Sequence, residues 1–162
     1  MNTSGKAGLC LWFDGQAEEV ADFYMALFED GHVISRNRSP IDWPGGAAGD
    51  VVLVEFEMAG MRLQALNGGP DRPHTDAASL TISATDQDEV DRLWGAILAA
   101  GGEEIMCGWI KDRWGVRWQI VPAEFEEMRR SAPTEALARG YAAMMTMRKL
   151  DMSQLREAVL TG

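Results

Sequence analysis

The sequence predicts an α+β fold: two tandem β-α-β-β-β units forming a curved mixed sheet pair, followed by C-terminal helices. Three observations predict it. Gly60-Met61-Arg62-Leu63-Gln64-Ala65-Leu66 returns as Gly115-Val116-Arg117-Trp118-Gln119-Ile120-Val121, 55 positions on (115 − 60). Glu19-Val20 opens a run ending in Ala26-Leu27-Phe28, and Glu89-Val90 opens a matching run ending in Ala96-Ile97-Leu98, 70 positions on (89 − 19). Residues 123–160 read helical throughout and have no counterpart in the first copy. An internal repeat fixes the architecture before any local reading, because each copy is one folding unit. The unequal spacings place a longer loop in the first copy.

The elements follow in order. Leu9–Phe13 is a short apolar run and reads as a buried strand. Asp14-Gly15 ends it, and Asp14 is placed to cap the next helix. In that helix Val20, Phe23, Tyr24 and Leu27 fall at i, i+3, i+4 and i+7, which makes one apolar face, and Gly31 stops it. His32–Arg36 reads as a strand. Pro40, Pro44, Gly45, Gly46 and Gly49 make residues 38–50 a loop. Val51–Met58 alternates, with Val52, Val54 and Phe56 on one side and Val51, Leu53, Glu55 and Glu57 on the other. Ala59-Gly60 is a hairpin turn, Met61–Leu66 the returning strand, and Asn67-Gly68-Gly69-Pro70 the close of the unit.

The second unit repeats the order. Ser79–Ala84 is a strand, and Thr85 caps a helix with Asp88 three residues on, a capping-box spacing. Val90, Leu93, Trp94, Ile97 and Leu98 form its apolar face, and Gly101-Gly102 is its stop. Glu104–Lys111 is the next strand region, Asp112–Gly115 a turn, and Val116–Val121 the last strand. In the helical tail Pro133 suits a first turn, and Leu137, Tyr141, Met144 and Met145 give an apolar face. Asp151 or Ser153 caps a final helix carrying Leu155, Val159 and Leu160. The expected organisation is a first unit over 1–70, a second over 71–122 and a helical extension over 123–162, one compact domain overall.

Composition bounds the function. A chain of 162 residues buries roughly 68–70% of its unfolded surface, so neither disulfide nor metal is needed to hold it. A net charge of −10 lacks the basic face that phosphate backbones require and is repelled by anionic membranes, which argues against nucleic-acid and membrane partners. No run approaches the ~18 apolar residues of a membrane span, and the first ten residues lack the basic start and apolar stretch of a secretory leader. Cys10 and Cys107 form no ligand pair and read as buried thiols of a cytoplasmic protein.

Several strings are more specific than composition: Leu11-Trp12-Phe13-Asp14-Gly15, Phe23-Tyr24 with Leu27-Phe28, Ala65-Leu66-Asn67-Gly68-Gly69-Pro70, Cys107-Gly108-Trp109, Trp118-Gln119-Ile120-Val121-Pro122 and Met147-Arg148-Lys149-Leu150-Asp151. With the tandem units, they resemble the PhnB-like branch of the glyoxalase/bleomycin resistance/dioxygenase (vicinal oxygen chelate) superfamily, a branch often labelled 3-demethylubiquinone-9 3-methyltransferase-like. The resemblance implies a pocket shared by two units, within one chain or across a dimer. It also implies metal ligands, usually His and Glu, on the first and last strand of each unit. Such ligands suit a divalent ion that activates water or polarises a substrate oxygen. Carried over with the 70-residue offset, the first-strand places are Leu9 and Ser79; the last-strand places are Gln64 and Gln119. None is His, Glu, Asp or Cys, so the expectation is no metal and no cofactor. The methyltransferase label finds no glycine-rich nucleotide loop after a strand.

The candidate ligand-binding residues are therefore Trp12, Gln64, Ser79, Trp109, Trp118 and Gln119. Amides and a hydroxyl orient polar atoms, and indoles supply apolar contact. Against this, polar pairs also bond across a sheet, and indoles more often fill a core. Trp43 and Trp114 read as exposed aromatics, and His32 and His74 as surface residues. The leading expectation is a small-molecule binding protein of unknown specific activity, without a catalytic metal, its pocket between the sheets, and a homodimer assisted by the methionine-rich tail. The alternatives are a metal-dependent glyoxalase-type lyase, isomerase or dioxygenase, a methyltransferase-labelled family member, and a non-catalytic dimeric module.

Overall fold

A computed structural model describes residues 6–161. The chain forms two compact units, Met1–Pro73 and His74–Gly162. In the first, β1 (Leu9–Phe13), α1 (Ala17–Ala26), β2 (His32–Arg38), β3 (Val51–Met58) and β4 (Met61–Asn67) follow in order. The sheet order is β1-β4-β3-β2, with β1 parallel to β4 and the other pairs antiparallel. This is the expected unit, and its strands fall within two residues of the reading.

Alternation decides which sheet face α1 covers. Val54, Phe56 and Met58 of β3, Leu63 and Ala65 of β4, and Leu11 and Phe13 of β1 are buried with Val20, Ala21 and Tyr24 of α1. Each large side chain withdrawn from water in this layer contributes about 1.5–3 kcal/mol. Tyr24 meets Phe56 edge to face, their ring centroids 6.4 Å apart. The Ala59-Gly60 turn has positive φ at both residues, the conformation a two-residue hairpin needs. Asp30 secures it by accepting from the Ala59 and Gly60 amides at 2.9 and 2.8 Å. Asp14 is not the cap of α1. The N-cap is Gln16, whose side chain caps nothing, and the Ala17 amide donates instead to Asn67 Oδ1 at 2.9 Å.

The second unit holds β5 (Ser79–Ala84), α2 (Gln87–Ala99), β6 (Glu103–Glu104), β7 (Trp109–Lys111) and β8 (Arg117–Pro122), with sheet order β5-β8-β7-β6. The region read as one strand over 104–111 is a short antiparallel pair, because Cys107 and Gly108 both take positive φ and turn the chain. That turn supplies the third strand after the helix. Val90, Leu93, Trp94 and Ile97 of α2 are buried with Leu80, Ile82, Ala84, Ile110, Trp118 and Ile120. The cap lies one residue past Thr85. Asp86 accepts from the Glu89 amide at 2.8 Å, and Glu89 reaches back to the Thr85 amide and hydroxyl, both at 2.8 Å. Gly101 and Gly102 close the helix with bonds to Leu98 and Ile97 carbonyls at 2.9 Å, a Schellman ending.

The tail is α3 (Ala123–Ser131), α4 (Thr134–Met144) and α5 (Met152–Leu160). Phe125, Met147, Leu150, Met152, Leu155 and Val159 form its core. The expected α4 face is corrected. Tyr141 and Met145 are 40% and 63% exposed, and the buried α4 residue is Gly140, against Val159 and Phe125. Two bulky helices approach closely only where one lacks a side chain, and periodicity of apolar letters does not register that. Leu160 is likewise exposed. No helix among the described residues is long and apolar enough to cross a membrane.

Candidate functional site

In the first unit the sheet face turned away from α1 carries a polar row beside a more apolar one. Register sets Cys10, Gln64, Glu55 and Ser35 side by side across β1, β4, β3 and β2. Each is one position out of step with buried neighbours such as Leu11, Ala65 and Val54, so the pleat turns it to the open side. Gln64 Nε2 donates to Glu55 Oε1 at 3.0 Å, and Arg62 Nη2 donates to the same oxygen at 2.6 Å. Ser35 Oγ donates to Glu55 Oε2 at 2.8 Å, while accepting from Asn37 Nδ2 at 3.0 Å. The Gln64 amide, then the Arg62 guanidinium and the Ser35 hydroxyl, hold the Glu55 pKa down to about 2. A carboxylate only accepts, so the atom of Gln64 facing it is the nitrogen. The Gln64 carbonyl oxygen is left without a partner among the described residues.

The adjoining row is Trp12, Leu66, Leu53 and Asn37. Trp12 Nε1 donates to the Gly69 carbonyl at 2.7 Å, and its ring lies so close over Gly68 that no Cβ fits there. The Arg72 guanidinium stands 5.9 Å from the ring centroid. Trp43 is half-buried rather than exposed, its indole donating to the Asn67 carbonyl at 2.6 Å.

In the second unit Gln119 Nε2 donates to Ser79 Oγ at 2.7 Å, and Gln119 pairs in register with Trp109 on one side and Thr81 on the other. Here either end of the amide suits the hydroxyl, which both donates and accepts. Ser79, Gln119 and half-buried Trp109 are thus brought together on one open face. Trp118 is not among them. It points to the α2 side, is wholly buried, and donates its indole N–H to Asp112 Oδ2 at 3.0 Å. Asp112 Oδ1 in turn accepts from the Trp114 and Val116 amides, both at 3.0 Å, which makes Asp112–Gly115 a structural turn. Trp114 is half-buried, with the Arg113 guanidinium 4.4 Å from its ring centroid.

The 70-residue offset fails in the strands. Gln64 pairs with Cys10, and Gln119 pairs with Thr81, so Cys10 and Thr81 occupy matching places. Leu9 is out of step with the open face, whereas Ser79 lies on it, because the connection from strand to helix differs by one residue between units. Cys10, expected buried, is exposed, because alternation with buried Leu11 turns it to the open face, and the partial burial of its thiol pushes the pKa up. Sequence reasoning also missed Glu55 as a partner of Gln64. The signal was present, since alternation already set Glu55 opposite Phe56.

The superfamily's metal does not fit these donors. On the first open face the carboxylate beside Gln64 is engaged by three donors, and on the second Gln119 is flanked by Thr81 and Trp109. Among the described residues no three His, Cys, Asp or Glu side chains group to hold an ion. A nucleotide-bearing methyl donor fits no better. Gly68-Gly69 follows a strand but lies beneath Trp12 and runs into Pro70, with β5 rather than a helix next.

Two four-stranded sheets, each with its β-α-β-β-β order, define a glyoxalase-like fold of the vicinal oxygen chelate superfamily. Within it, the chain belongs to the 3-demethylubiquinone-9 3-methyltransferase (PhnB-like) family, whose model matches residues 5–121. A PhnB protein from Bacillus cereus bearing that methyltransferase description is 27% identical, over 74% of this chain and 100% of its own, with a TM-score of 0.65. A Pseudomonas aeruginosa protein is 20% identical, over 74% and 98%, with a TM-score of 0.59. The FosX fosfomycin resistance protein of Listeria monocytogenes, complexed with Mn(II) and sulfate, is 14% identical, over 78% and 97%; at a TM-score of 0.52 it shares the fold. No curated protein matches the chain in sequence.

Proposed function

We propose that this protein binds a small molecule on the open faces of its sheets, through Gln64 and Trp12 in the first unit and Gln119, Ser79 and Trp109 in the second, without a protein-held metal. One observation carries the reading. Gln64, half-buried on an open face, commits its amide nitrogen to Glu55 and keeps a carbonyl oxygen that no described residue uses. A polar atom held in fixed orientation beside an indole is the usual make-up of a ligand site. Trp118 is left out of this site, because it is buried on the α2 side with its indole N–H on Asp112.

The test is a thermal-shift screen over small metabolites, since a ligand that binds only the folded state raises the melting temperature. The expected result is a shift that Gln64→Ala with Gln119→Ala removes. No shift with any compound, or a shift the double variant retains, overturns the reading. We further read the protein as a cytoplasmic homodimer. Its unpaired cysteines suit a reducing compartment, and Tyr141, Met145 and Leu160 leave apolar surface on the tail for a second copy. A monomeric mass in solution rejects the dimer.

A further inference from the structure

We propose that the ligand of the first open face is a small amphipathic hydrogen-bond donor, an amine or alcohol on an apolar body, and not a carboxylate or phosphate. The inference rests on the small-molecule reading above and specifies the chemistry of that site.

The argument is an inventory of which atoms are spent. Glu55 Oε1 already takes two hydrogens, from Arg62 and Gln64, and Oε2 takes one, from Ser35. A carboxylate has about four lone-pair sites, so Oε2 retains one. The proton of Ser35 is used on Glu55, and its oxygen accepts from Asn37. Gln64 has its nitrogen turned to the carboxylate and its carbonyl oxygen without a partner among the described residues. The central row therefore presents acceptors: one carbonyl oxygen and one carboxylate lone pair. Its charged group is anionic at every physiological pH, because Glu55 is held at about 2. Of the two guanidinium groups at this face, Arg62 is on that carboxylate at 2.6 Å, and Arg72 is held against the Trp12 ring, 5.9 Å from its centroid, with Nη1 donating to the Asp71 carbonyl at 2.9 Å. A carboxylate or phosphate brought here meets like charge and more acceptors, and the net charge of −10 opposes its approach.

The adjoining row supplies the apolar half. Trp12, Leu66 and Leu53 lie two residues along β1, β4 and β3 from Cys10, Gln64 and Glu55. At 3.2–3.4 Å per residue the two rows are about 7 Å apart, the length of a benzyl or short alkyl body from its polar end. Cys10 adds no anion, since partial burial raises its pKa and keeps the thiol neutral.

Three probes of one shape separate the chemistries: benzylamine, benzyl alcohol and benzoate, measured by thermal shift and by calorimetry on the full chain. The expected result is that the amine and the alcohol bind and that benzoate binds weakest, about tenfold or more below the amine. Glu55→Gln keeps the shape but removes the charge, and its cooperative melt checks that it folds. In that variant the preference for amine over benzoate falls about tenfold or more, which corresponds to about 1.4 kcal/mol. Benzoate binding to the natural protein as tightly as benzyl alcohol overturns the donor class. So does silence from all three probes while another small molecule shifts the melt. Silence across the whole metabolite screen, or a shift that Gln64→Ala with Gln119→Ala retains, overturns the small-molecule reading as well.

Discussion

Asn67, the last residue of β4, caps a helix that begins 50 residues earlier: its Oδ1 accepts the Ala17 amide at 2.9 Å. Its Nδ2 donates to the Val51 carbonyl at 2.9 Å, so one buried side chain ties α1, β3 and β4 together. Asn67→Ala leaves both backbone groups without a partner in a buried setting. A lost cap costs ~1 kcal/mol and a stranded buried polar group about 1–3 kcal/mol. The expected destabilisation is about 2–3 kcal/mol, read as a lower urea midpoint with an unchanged slope. An unchanged midpoint rejects the cap.

Gly140 of α4 tests close helix packing. A Cβ there stands 2.7 Å from Val159 Cγ2 and 3.2 Å from Phe125 Cε2. Alanine improves helix propensity by about 1 kcal/mol, but overpacking costs about 1–3 kcal/mol. Val159 is itself 3% exposed and pinned in the tail core, so the steric cost wins and Gly140→Ala lowers the melting temperature. Adding Val159→Ala opens the missing space. The two changes together then cost less than their separate costs combined, by about 1 kcal/mol or more in a double-mutant cycle.

Acid should reveal the Glu55 cluster. The folded pKa lies at about 2, below the ordinary value of 4.5, because the ionised form takes bonds from Gln64, Arg62 and Ser35. A depressed carboxylate contributes stability that is complete above its unfolded pKa and lost as pH falls through the folded one. Stability should therefore decline between about pH 4.5 and pH 2, and Glu55→Gln should flatten part of that decline. Urea titrations at several pH values measure it. Glu104, Glu124, Asp30, Asp91 and Asp151 are lowered too, so the variant retains some acid sensitivity.

What the sequence made legible follows from what periodicity encodes. Val51–Met58 and Ala59-Gly60 were readable to the residue, because alternation and a hairpin pair are local signals. The cap of α1 was not, since Asn67 arrives from another strand. Nor was the place matching Gln64 on the first strand. Copying an offset from the helices ignores the one-residue difference before them, and in a strand one residue exchanges faces. The same rule separates Trp118 from Gln119. Adjacent letters on β8 face opposite ways, so an indole next to a candidate amide belongs to the core.

Gln87, in the first turn of α2, fastens the tail to the second unit. Its Oε1 accepts the Met152 amide at 2.8 Å, at the start of α5, and its Nε2 donates to the Leu150 carbonyl at 3.1 Å and to Asp91 Oδ1 at 3.0 Å. A second fastening lies at the β6–β7 turn. There the Cys107 and Gly108 amides donate to the Met147 and Arg148 carbonyls at 2.7 and 2.8 Å. Gln87→Ala removes the first and keeps the second. The expected loss is about 1–2 kcal/mol, concentrated in the tail, because the amide of Met152 and the carbonyl of Leu150 lose their partner together. Hydrogen exchange should show faster opening across α5 with little change in β1–β4, and protease should cut residues 145–152 first. Uniform loss of protection through both units contradicts a local fastening, and unchanged exchange in α5 shows that the tail is held without Gln87, by the packing of Leu150, Met152 and Leu155 and the bonds at the β6–β7 turn.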